Sequence, residues 1–160
     1  MPLAVVEEIR LELLDRLDAL EDGGEITMAS EVVAPERFGS YRPQDWQVVV
    51  SQGDTAIIDA LSMPGNPPAT CFETVFNIRC RNMPSETSTD ERDTLKNQFS
   101  ADVRKVVCTS NTWYSFGGFA IDAAWLNHEL LETDSGQIIV NVPLAIRYRT
   151  NEGDPYTVRG

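Results

Sequence analysis

Apolar residues along the chain fall into two periodicities. Val6, Ile9, Leu13, Leu17 and Leu20 recur at three- and four-residue steps, which predicts an amphipathic helix over 3–20. Glu12 stands four residues before Arg16 as a helical ion pair, and Gly23-Gly24 ends the helix. A second helix is predicted over 89–108. Its apolar stripe is Leu95, Phe99, Val103, Val106 and Val107, and Ser88 and Glu91 have capping-box spacing. Acidic Asp90, Glu91 and Asp93 open this helix while Arg104 and Lys105 close it, so both ends suit the helix dipole.

Between and after the helices the period drops to two. A short strand fits within 26–34. Residues 46–61 read as strand, a Gln52-Gly53-Asp54 turn, and strand. Over 71–82, Phe72, Thr74, Phe76, Ile78 and Cys80 share one face, against Glu73, Asn77, Arg79 and Arg81 on the other. The last third predicts a hairpin over 118–149. Phe119 to Trp125 alternates, Asp134-Ser135-Gly136 turns, and Ile138 to Tyr148 alternates again. Pro143 suits an edge strand or a bulge there, and 150–160 reads as a polar tail. Strands follow one another as hairpins instead of alternating with helices. The expected fold is therefore α+β: one domain over 1–160, with a mixed, mainly antiparallel sheet and two helices packed on one face.

Composition narrows function by exclusion. The 160 residues are 42% hydrophobic, enough for a core, and carry 25 acidic against 13 basic residues, a formal charge of −12. Tight nucleic-acid recognition rests on Lys and Arg neutralising phosphates, and docking on anionic membranes needs the same charges. Neither is expected. The start, Met1-Pro2-Leu3-Ala4 running into Glu7-Glu8, lacks the order of a secretory signal. Cys71, Cys80 and Cys108 form neither a disulfide framework nor a zinc pattern, and read as reduced thiols packed in a cytoplasmic product.

Chemistry-bearing motifs are scarce. His128 is the sole histidine and has no partner at ligand spacing, so no metal site is expected. Phe116-Gly117-Gly118-Phe119 precedes a strand, where a phosphate cradle would precede a helix; a bend or bulge is the simpler reading. No catalytic or cofactor-binding residue is assigned. Loops, in contrast, are rich in the residue types that populate protein interfaces. Phe38, Tyr41, Arg42 and Trp46 cluster around Pro43; Trp113, Tyr114 and Phe116 form a second group; Pro64, Pro67 and Pro68 mark a long connection.

The ending Leu144-Ala145-Ile146-Arg147-Tyr148-Arg149-Thr150, then Gly153-Asp154-Pro155-Tyr156-Thr157, resembles the tail terminator (tail completion) proteins of long-tailed phages and related gene transfer agents. The Gly65-Asn66-Pro67-Pro68-Ala69 loop, Cys80-Arg81 at a strand end and the element order fit the same family. The resemblance implies a non-enzymatic structural virion protein without cofactor. Such a subunit forms a homohexameric ring on the head-proximal end of the tail tube, stops tube polymerisation and joins the tail to the head. Implied partners are further copies of the chain, the major tail tube protein and the head–tail connector or stopper, with genomic DNA as passing cargo. Arg147, Arg149, Asp154 and Tyr156 carry over as assembly markers. Two other readings stand beside it: an adjacent neck component (a head-closure or tail-adaptor protein) and a small enzyme with an unrecognised site. An acidic ring lumen is expected, because carboxylates repel passing phosphates.

Overall fold

The computed structural model describes residues 2–20, 31–32, 47–82, 89–132 and 138–159. The fold is α+β. Helix α1 spans Val5–Leu17 and passes into a 3-10 turn over Asp18–Leu20; helix α2 spans Thr89–Val107. Both match the apolar stripes in the sequence. Val5, Ile9, Leu13 and Leu17 are buried on α1, and Phe99, Val103, Val106 and Val107 on α2. The Gly23-Gly24 stop and the Ser88 cap lie outside the described residues.

Among the described residues seven strands form one sheet: β1 (Glu31–Val32), β2 (Gln47–Ile57), β3 (Ala69–Asn82), β4 (Asp122–Trp125), β5 (Glu129–Glu132), β6 (Ile138–Asn151) and β7 (Asp154–Val158). Strand β1 pairs parallel to β2, and every other pair is antiparallel. The long pair β3–β6 runs without a register break from Ala69↔Asn151 to Asn82↔Ile138. On its even-numbered face Phe76, Ile78, Cys80, Val142, Leu144 and Ile146 are wholly buried and join both helices in one core, while Thr70 and Phe72 at one end are partly buried. The opposite face carries Glu73, Asn77, Arg79, Arg147 and Arg149, all half-buried.

Three details depart from the sequence expectation. Gln52-Gly53-Asp54 does not reverse the chain. Residues 47–57 are a single strand whose register on β3 slips between Gln52↔Phe76 and Thr55↔Thr74, one extra residue on β2. Gly53 permits the bulge, because a Cβ there would lie 3.0 Å from the Val75 carbonyl oxygen.

The first arm of the C-terminal hairpin is likewise broken. Residues 113–118 form 3-10 turns, and β4 and β5 meet β6 on either side of a gap at 126–128. Pro143 sits opposite that gap in a buried central strand that pairs with β3 without a break, neither the edge strand nor the bulge expected. A strand residue's N and C=O point to the same side. The Pro143 oxygen accepts from Leu126 N at 3.0 Å, so its missing N–H faces the gap, where no ladder bond is lost. The turn residues 134–136 lie outside the described residues.

Finally, 150–160 is not a loose tail. Strand β6 continues to Asn151, the chain turns at Gly153 (φ 79°), and β7 returns along the same edge of β6. That edge is thus shared in succession by β5, β4 and β7. Ile121 N bonds the Arg147 oxygen, and Arg159 N the Arg149 oxygen, each at 2.9 Å. Short polar segments therefore become ordered because β6 offers backbone acceptors that need donors.

Candidate functional site

Two regions of the surface combine apolar exposure with a built framework. The first is the corner where the β6–β7 hairpin meets the 58–69 connection. A 3-10 turn over Asp59–Leu61 leads to the Met63↔Ala69 bridge, and the Asn66–Pro67 peptide between them is cis. Ser62 Oγ accepts from Cys71 N at 3.1 Å. The hairpin is fastened to this loop from several directions. Arg149 Nε donates to Leu61 O at 2.8 Å, Glu152 N to Pro68 O at 2.8 Å, and Arg159 Nη1 to Pro67 O at 3.1 Å and Asn151 Oδ1 at 2.9 Å. Pro64, Pro67, Pro68, Arg149, Asp154 and Tyr156 are thus brought to one end of the molecule. Tyr156 stays 54% exposed.

Beside this corner a cleft of about 320 Å³ opens on the helix side of the sheet, between the start of α1 and the hairpin. Ala4, Val6, Ile57, Phe72, Tyr148 and Pro155 give it an apolar lining, with Glu152 and Asp154 as its carboxylates. Phe72 stacks on Tyr148 with ring centres 5.5 Å apart. The Tyr148 hydroxyl lies 3.4 Å from Thr74 Oγ1, which in turn shares a 2.8 Å hydrogen bond with Thr55 Oγ1. Burial raises the Tyr148 pKa above its ordinary 10.0, with the Thr74 bond opposing. The lining holds no histidine or cysteine, and its mainly apolar walls can receive an apolar group.

The second region lies about 18 Å away, the length of α1 from Ala4 to Arg16. Arg16 Nη1 donates to Val107 O at 3.0 Å and to Trp113 O at 2.8 Å, and its guanidinium covers the Phe116 ring at 4.5 Å. Trp113 stacks on Trp125 at 5.8 Å, and Arg104 sits over the outer ring at 5.7 Å. Phe116 (φ 46°) and the glycines after it bend the chain, as the simpler reading of that motif held. Phe116 is fully buried, whereas Tyr114 (40%) and Leu126 (42%) are exposed and Arg104 and Lys105 also reach solvent.

Of the remaining candidates, Arg147 is separate from both regions. It donates to Glu73 Oε2 at 2.8 Å and stands 3.7 Å from Asp122 Oδ2. On the same sheet face Asn141 donates to Asn77 Oδ1 at 3.2 Å. Asn141 Oδ1 and Arg79 Nε, on directly opposed residues, are buried without a partner. Phe38, Tyr41, Arg42 and Trp46 lie outside the described residues. Sequence reasoning missed Ile57, Phe72 and the exposed Arg104 beside Trp125. The signal for Ile57 was its place at the end of a strand that continues past a bulge. His128 is half-buried in the gap between β4 and β5, with Nδ1 3.4 Å from Ser100 Oγ.

Compared with models of known protein families and with curated proteins, the chain matches none.

The buried acids set an alkaline limit on the fold. Burial is the leading cause that lifts Cys71 and Cys108 above the ordinary thiol value of 9.0, as it lifts Tyr148. Each group is neutral when folded. Its contribution is intact below the ordinary pKa and lost as pH rises through the higher folded value. Stability should hold from pH 7 to about 9 and fall beyond it. Urea midpoints at pH 8, 9.5 and 10.5 test this, with Tyr148→Phe flattening the decline; an unchanged slope in that variant would contradict Tyr148's share.

Proposed function

We propose that this chain is a structural subunit of a phage-type tail, forming a ring that caps the head-proximal end of the tail tube and joins it to the head connector. One observation carries the reading: the separate segments that resemble tail terminators fasten to one another. The 65–69 loop, the Arg149–Thr150 end of β6 and the Asp154–Tyr156 strand meet at one corner, held by the bonds of Arg149, Glu152 and Arg159 and by the β6–β7 pairing; Arg147, the first residue of the resembling segment, stands apart from it. Such a corner is rigid, partly apolar and solvent-facing, as an assembly surface must be.

The charge suits the role as well. A chain of net −12 repels duplex DNA, so a ring built from it lets DNA pass without holding it. Subunits of a ring also need two different complementary patches, and the two regions at opposite ends of α1 supply two.

The test is genetic. Particles from which this gene is deleted should carry tails of uncontrolled length that fail to join heads, seen by negative-stain microscopy. Tails of normal length would overturn the terminator role, and headless tails of normal length would assign the chain to an adjacent neck component.

A further inference from the structure

We infer that the cleft beside β7 is the socket for a second copy of this chain, filled by the neighbour's Tyr114–Leu126 corner. The inference rests on the ring reading above and names the contact that would build the ring. The socket is apolar, with Ile57 60% exposed at its mouth, and its carboxylates Glu152 and Asp154 have no Lys or Arg among the lining residues. Arg159 stands near it, but its guanidinium is turned to Pro67 O and Asn151 Oδ1.

The other end of α1 presents the complement. Tyr114 and Leu126 project there as exposed apolar side chains, and Arg104 and Lys105 stand exposed at the end of α2. Basic residues are the scarce charge on this chain, 13 against 25, yet Arg104 stands over Trp125 at this aromatic corner. Aromatic side chains and arginine beside an apolar, acid-edged cleft are the usual composition of an interface anchor and its pocket. The socket's volume sits at the low end of the ~300–1,000 Å³ range of sites that enclose a ligand-sized group. Because about 18 Å of helix separates the two patches, a chain cannot fill its own socket. The contact joins two different patches on two copies, and repeated head-to-tail such a contact closes into a ring.

Two variants divide the contact. Ile57→Arg spoils the socket and leaves the corner intact; Tyr114→Ser/Arg104→Glu spoils the corner and leaves the socket intact. Both alter exposed positions, and thermal melts check that each folds. Arg104→Gln replaces Arg104→Glu if reversing charge at the helix end lowers the melt. By sedimentation velocity from about 10 μM to about 1 mM, the wild type should self-associate, and each variant alone should associate at least about tenfold more weakly. Mixed one to one, the variants should recover a single intact contact and form a heterodimer that stops there. A mixture that stays monomeric while the wild type associates would give the socket to another partner and overturn the inference. A wild type that stays monomeric throughout would also overturn it, and the tail-length test of the ring reading would stand apart.

Discussion

Replacing Arg16 by alanine is expected to cost about 2–4 kcal/mol of folding stability, far more than an exposed ion pair on a helix would. The Glu12 contact at 3.0 Å is the lesser part of the effect. The larger part is the guanidinium's bridge between three elements. It donates to Val107 O at the carboxyl end of α2, which also accepts from Thr109 N at 3.1 Å, and to Trp113 O in the following turn. It also lies against the Phe116 ring. Phe116 holds a left-handed backbone, φ 46°, which costs a non-glycine residue about 1–2 kcal/mol and persists because the side chain is buried under this lid. Arg16→Lys should recover only a small share, since an ammonium cannot both fork between two carbonyls and stack on a ring. Urea unfolding with an unchanged slope would read the loss as stability alone. A loss under about 0.5 kcal/mol, the scale of a neutral surface change, would show that the bridge contributes nothing.

The Arg16 bridge also shows where sequence reading succeeds and where it stops. Pairing with Glu12 is a local four-residue relation and was legible; the bonds to Val107 and Trp113 span more than ninety residues and were not. The helices and β3 announced themselves because each buries one face along many residues, so a period is visible. Pro143 misled because its local rule assumes a partner along the whole strand. The gap between β4 and β5 removes the conflict, and only tertiary pairing creates that gap. Gln52-Gly53-Asp54 misled because a bulge and a turn favour the same residue types. The length of β3, able to pair with both halves of β2, decides between them. Residues 154–158 had no apolar period to read, being a strand held by the edge of β6 more than by a buried face. The socket was invisible for a related reason. Its walls come from 4–6, 55–57, 70–72 and 148–155, which no single window of sequence contains.

Phe76→Ala should be the most damaging single truncation in the sheet, at about 3–5 kcal/mol, whereas Val75→Ala one residue away should stay within about 1 kcal/mol. The contrast follows from the pleat. Phe76 is wholly buried on the face toward both helices, opposite Leu144 on β6 and Gln52 where the bulge begins. Removing its ring leaves a hole among close-packed neighbours, and the bulge fixes the backbone so that it cannot collapse inward. Val75 points to the opposite, half-buried face, where solvent can fill the space. For a domain with about 5–15 kcal/mol of total stability, the Phe76 loss is a fifth or more, and the melting temperature should fall by roughly 10 °C. Paired melts of the two variants therefore test the layer arrangement itself. Equal losses would mean that both faces of β3 are equally packed, which is incompatible with two helices lying on one side of the sheet.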